Sequence, residues 1–159
     1  MDKTSTERIN EYQLFQNYKN KEHSILGTSS KYQVPIMREA VGKRAIDIVF
    51  QKDNTIYICE LKKSKSPENI LRCICEILTY YFLVKEHIKA DGENKYFYKE
   101  CAGEKYDDKI NYKLEPAIIC PPSFIKDINV KPLLDKLYQE SNIVLKIVTI
   151  EEDNGILDE

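Results

Sequence analysis

Two apolar runs stand out in the pattern of hydrophobic and polar positions, Ala45-Ile46-Asp47-Ile48-Val49-Phe50 and Thr55-Ile56-Tyr57-Ile58-Cys59-Glu60-Leu61-Lys62. Both are short and β-branched, the signature of buried strands. The polar Gln51-Lys52-Asp53-Asn54 between them predicts a hairpin from residue 44 to 62. Elsewhere the period changes. Ile9, Tyr12, Phe15 and Tyr18 repeat at helical spacing over residues 6–22, and Ile70, Ile74, Ile77, Tyr81, Val84 and Ile88 form a core stripe further on. The second helix has a start signal in Ser66-Pro67-Glu68, with Ser66 as N-cap and Pro67 at the first helical position. It runs to about Ala90, and Gly92 ends it.

Between these elements, His23 to Ser30 reads as a turn and Tyr32 to Val41 as a first strand interrupted by Pro35. Residues 91–113 are polar, charged and Tyr-rich, and read as a long loop or a small extra hairpin. Its Lys95-Tyr96-Phe97-Tyr98-Lys99 interleaves bases with rings that could stack on single-stranded nucleic acid. Leu114 to Cys120 is a strand closed by Pro121-Pro122, Lys131 to Glu140 a helix, and Ile143 to Ile150 a final strand before a frayed acidic tail. The order is helix, two or three strands, helix, strand, helix, strand. An α/β fold with a mixed central sheet and helices on both faces follows, in one domain over residues 1–159 with a core from about 6 to 150.

Composition narrows the classes. Hydrophobic residues at 42% and charged residues at 31% describe a globular chain. No apolar run has membrane-spanning length, and residues 1–7 contain no apolar signal region, so a cytoplasmic protein without membrane association is expected. The five cysteines include no CxxC pair, which argues for reduced thiols over a zinc or iron–sulfur site; Cys59, Cys73, Cys75 and Cys120 are expected to be buried. A net charge of −2 argues against a generic electrostatic nucleic-acid binder. It leaves room for a local basic patch, and Lys43, Arg44, Lys63 and Lys65 flank the two strands.

The charges inside the strands carry the chemistry. Glu60 and Lys62 are two apart and point to one face, and Asp47 comes from the neighbouring strand. Two carboxylates brought together repel unless a cation joins them. A hard divalent ion takes oxygen ligands and polarises a phosphoryl oxygen, while an adjacent lysine stabilises developing negative charge. The same triad at a strand end could also be a structural ion-pair network.

Ile46-Asp47 followed, after twelve intervening residues, by Glu60-Leu61-Lys62 resembles the PD-(D/E)xK, restriction-endonuclease-like nuclease superfamily. The element order likewise resembles its αβββαβ core, and Ile46 stands where that motif usually has proline. The resemblance implies Mg²⁺ or Mn²⁺ held by Asp47, Glu60 and the main-chain carbonyl of Leu61, with Lys62 positioning or activating water. It implies metal-dependent hydrolysis of nucleic acid phosphodiesters, DNA foremost; the alternative is a catalytically inactive module of the same fold that binds nucleic acid or a protein. Glu76 and Tyr80 stand at the spacing of a glutamine and tyrosine in RecB-like members, with Glu76 in place of the amide. Arg72 could instead pair with Glu76. An auxiliary acid is expected from Glu11, which borders Leu14-Phe15, or from Glu7 or Glu39. The chain has no room for a separate recognition domain, so a homodimer or a specificity-giving partner protein fits this reading.

Overall fold

In the computed structural model the hairpin forms the centre of a five-stranded sheet in the order β1-β2-β3-β4-β5. The structure describes residues 5–36, 45–63, 66, 68–90, 96–153 and 156–157. Helix α1 (Ser5–Lys19) leads into β1 (Thr28–Pro35), β2 (Ala45–Lys52) and β3 (Thr55–Leu61), each strand antiparallel to the next. Helix α2 (Ile70–Ala90), short helix α3 (Tyr96–Ala102) and a 3-10 turn at Gly103–Lys105 precede β4 (Lys113–Cys120), parallel to β3. A one-turn helix α4 (Pro122–Ile125) and helix α5 (Lys131–Ser141) then lead to β5 (Lys146–Thr149), parallel to β4.

The crossovers from β3 to β4 and from β4 to β5 step the same way across the sheet. Right-handed connections therefore put α2 and α5 on the same face. Burial agrees: Ile70, Ile74, Ile77, Tyr81 and Val84 of α2 pack with Ile56, Ile58 and Ile118, and Leu134 and Leu137 of α5 join that cluster. Leu14 and Tyr18 of α1 cover the other face against Ile48, Phe50, Tyr57, Cys59, Ala117 and Ile119. The odd–even alternation along β3 and β4 sorts these side chains between the two layers. The sheet is mixed and helices flank it, as the apolar pattern predicts.

Two turns set the register. Lys52 and Thr55 close the β2–β3 hairpin around Asp53, whose φ of 53° is in the left-handed region that aspartate tolerates. Between α1 and β1, His23 and Gly27 exchange backbone hydrogen bonds of 2.8 and 2.9 Å, and the Nδ1 of His23 accepts from Ile25 N–H and Leu26 N–H. Gly27 has φ 80°, and a Cβ there would come within 2.1 Å of the Gln51 carbonyl oxygen, so only glycine lets the turn lie against β2.

Several boundaries differ from the sequence-based expectation. Residues 96–102 form a helix in place of a loop or hairpin, because Phe97, Cys101 and Ala102 at helical spacing find a core to enter. Asn69 caps α2 in place of Ser66: the Asn69 side-chain oxygen accepts from Arg72 N–H at 2.9 Å, while Ser66 accepts from Glu68 N–H one turn earlier. Pro67 and Gly92 lie outside the described residues. The last strand is half the expected length: only Lys146–Thr149 pair with β4, along Ala117–Cys120. Beyond it, Glu152–Asp153 and Ile156–Leu157 pair as a small ladder where a frayed tail was expected. Cys59, Cys73 and Cys120 are buried, but Cys75 is exposed because it falls off the core stripe of α2.

Candidate active site

The site lies where the β2–β3 ladder stops. The last regular pair is Ile48↔Cys59, so one further step sets Asp47 across from Glu60. There the side chain of Asp47 reaches over, and its Oδ2 accepts a 2.9 Å hydrogen bond from Leu61 N–H. Asp47 and Glu60 are among the few charged groups that are buried, 2% and 3% exposed. The Lys62 N–H donates to the Ile119 carbonyl at 2.9 Å, extending the parallel β3–β4 pairing and fixing where the lysine side chain starts.

Lys62 is the hub. Its Nζ lies 2.7 Å from Glu60 Oε1, 2.5 Å from Glu68 Oε2 and 3.5 Å from Glu76 Oε2. Burial by itself would lower the pKa of the ammonium; Glu60, Glu68 and Glu76 outweigh it and hold the group above the usual lysine range. Lys62 is thus a fixed positive charge. Glu68 is held below its ordinary 4.5, first by the hydrogen bond from Lys62 and against the opposing effect of burial. Arg72 Nε lies 3.4 Å from Glu68 Oε1, so its ion-pair partner is Glu68, with Glu76 held on the next turn. Tyr80 OH donates to Glu76 Oε1 at 3.2 Å, which joins these two residues as their spacing suggested.

Glu68 is the participant the motif did not reveal. Arg72, Glu76 and Tyr80 follow one another at four-residue intervals on one face of α2, and Glu68 stands four residues earlier, just ahead of the helix, a spacing present in the sequence. Gln33 is the second. Val34↔Ile46 and Tyr32↔Ile48 bracket it, placing it across β1–β2 from Asp47. Gln33, Asp47 and Glu60 therefore form a row over three strands. Gln33 has φ 53° inside a strand, and its Nε2 donates a short hydrogen bond to Oε2 of Glu11, itself only 2% exposed. Of the candidate auxiliary acids whose side chains are described, Glu11 is bound to Gln33. Glu39, Lys43, Arg44, Lys65 and the side chain of Glu7 lie outside the described residues. Lys63 is half-buried at the end of β3, and its carbonyl accepts from Ser66 N–H at 3.0 Å.

Among the described residues, no three His, Cys, Asp or Glu side chains gather as a metal-holding group. No helix among them is long and apolar enough to cross a membrane. No protein-family model matches the chain, and comparisons with curated proteins and with solved structures return no match.

Proposed function

We propose that this protein is a metal-dependent phosphodiesterase of the PD-(D/E)xK type, acting on nucleic acid and on DNA foremost. The observation that carries the reading is the buried Asp47–Glu60 pair at the mouth of two core strands, with Lys62 two residues beyond. Burying carboxylates this way costs several kcal/mol unless cations compensate. Lys62 serves three carboxylates at once, and Asp47 makes a fourth in the same neighbourhood. The helix, antiparallel strands, helix and parallel strand occur in the order the resemblance calls for.

The donor set suits the expected ion. Asp47, Glu60 and the Leu61 carbonyl are all oxygen donors, and Mg²⁺ or Mn²⁺ needs only one or two carboxylates with water completing its shell. When bound, such an ion would polarise a phosphoryl oxygen and make a coordinated water more acidic. The chain's own groups act beside it. Lys62, kept cationic by its neighbours, stabilises charge that builds on the phosphate. Glu68 and Glu76 hold the ammonium in place, and Tyr80 steadies Glu76.

The test is cleavage of single-stranded, duplex and branched DNA and RNA with and without Mg²⁺ or Mn²⁺. Asp47→Asn and Glu60→Gln should each lose at least about a hundredfold in rate, the scale of losing one electrostatic contributor. A wild-type protein that cuts none of these substrates, with metal present and the fold intact, would sink the proposal. Binding without cleavage in that experiment would mark the inactive-module alternative.

A further inference from the structure

We infer that Lys62 is an internal cation that competes with the metal for Glu60, and that Glu68 is the positioning residue that draws the lysine away. This rests on the phosphodiesterase reading and concerns how the metal site of that reading is regulated.

One cation stands between two groups of acids. On the sheet side is Glu60, 2.7 Å from Lys62 Nζ. On the other side are Glu68 at 2.5 Å, just ahead of α2, and Glu76 at 3.5 Å, on α2 itself. Each side is anchored independently of the lysine. Glu60 belongs to β3 and is buried. Glu68 Oε1 lies 3.4 Å from Arg72 Nε, and Glu68 N–H donates to Ser66 Oγ at 3.3 Å. Glu76 accepts from Tyr80 OH at 3.2 Å. The backbone of Lys62 is held as well, by its hydrogen bond to the Ile119 carbonyl. What remains adjustable is the four-carbon stem of Lys62, which can swing its ammonium toward Glu68 and Glu76 by bond rotation.

Electrostatics give the lysine a reason to move. Glu60 is one of the oxygen ligands the phosphodiesterase reading requires. An ammonium in contact with that carboxylate neutralises it and repels a second cation. Leaving Glu60 with no other partner at hand would strand a charge that is only 11% exposed. Glu68 removes that penalty, because its contact with Lys62 is already made and is the shortest of the three. Lys62 therefore has two settings. In one it bridges Glu60 to the helix side; in the other it withdraws onto Glu68 and Glu76 and releases Glu60 to the metal.

The experiment is calorimetric titration of the whole chain with Mn²⁺ alone, with no nucleic acid present. Glu68→Gln should weaken Mn²⁺ binding by about tenfold or more, since it leaves Lys62 to Glu60. Folded Lys62→Met should tighten binding by about tenfold. The deciding comparison is Glu68→Gln made in the Lys62→Met background. A residue that acts through the lysine then has nothing to act on, and its effect should vanish. An equal loss in both backgrounds would mean that the metal feels the Glu68 charge directly, and would overturn the inference. Should Lys62→Met fail to fold, a crystal structure of the wild-type protein soaked with Mn²⁺ decides. Lys62 should then contact Glu68 and no longer contact Glu60; Mn²⁺ bound through Glu60 with Lys62 unmoved overturns the inference and leaves the phosphodiesterase reading standing. No Mn²⁺ binding by the wild type or by folded Lys62→Met would sink the metal site itself, and the exchange with it.

Discussion

The two ends of β4 are surrounded by residues of similar type arranged to opposite purpose. Near Ile119, Lys62 gathers Glu60, Glu68 and Glu76, and the apolar surroundings are interrupted by charge. Near Lys113, Tyr98, Tyr112 and Tyr106 stack in sequence, with centroids 5.5 Å apart at each step. There the lysine acts as a cap, Lys99 sitting 5.4 Å over Tyr106. The Tyr112 hydroxyl accepts from Asp107 N–H and donates to the Lys105 carbonyl, so its polar end is satisfied locally. One end holds charges together by pairing; the other holds rings together by packing. Among the described residues only the first gathers several carboxylates around one cation, which is why the phosphodiesterase reading is proposed there.

The largest way to break this contrast is Lys62→Met. Removing a cation that is only 11% exposed leaves three carboxylates facing one another, and stability should fall by about 3–5 kcal/mol in urea unfolding. Adding Glu60→Gln to that variant should recover part of the loss. If Lys62→Met unfolds like wild type, the hub is not an energetic unit.

Next in size is the pH response, in which the acid limb belongs to the charged end and the alkaline limb draws on both. Glu68 is held below 4.5, so its contribution is present above that pH and lost as pH falls through the lower folded value. Tyr98 is raised by burial from 10.0 to about 12, so its contribution is full below pH 10 and lost as pH rises toward 12. The alkaline loss should be on the order of 1–2 kcal/mol after solvent screening, with tyrosinate absorbance appearing late. Lys62, also raised, weakens the alkaline side in the same sense. Glu68→Gln should flatten the acid limb and, by removing one of the groups that hold Lys62 cationic, move the alkaline limb only slightly, whereas Tyr98→Phe should remove the late tyrosinate signal and leave the acid limb unchanged. An acid limb that Tyr98→Phe changes as much as Glu68→Gln would dissolve the distinction.

The smallest expected effects sharpen the comparison. Tyr80→Phe deletes one hydrogen bond to Glu76 at the half-buried edge of the hub, which should cost under about 1 kcal/mol in a thermal melt. Tyr112→Phe at the other end, losing two contacts of one hydroxyl, should cost about 1 kcal/mol. A much larger loss from Tyr80→Phe would show that the hub is cooperative where the stack is not.

The parts of this molecule that were legible in advance share one property, a local period. The hairpin, the core stripe of α2 and the approach of Asp47 to Glu60 follow from alternation in strands and four-residue repeats in a helix. The α3 segment does not announce itself as a helix because its three buried residues fall within seven positions, too few to distinguish helix from loop until a core exists to receive them. The final strand is shorter than its apolar run because such a run states only what can pair, and in the fold just Lys146–Thr149 meet β4.

By itself, then, the sequence determined that two carboxylates would stand at the end of core strands with a lysine beside them, since neighbouring positions on strands two to four residues apart fix that much. Only the tertiary structure decided that Glu68 would reach Lys62, that Gln33 would stand opposite Asp47 and hold Glu11, and that Tyr12 would meet Tyr32. Each of these joins residues from different elements. Their meeting depends on register and on which face each helix covers, and those are settled by burying the whole apolar surface at once.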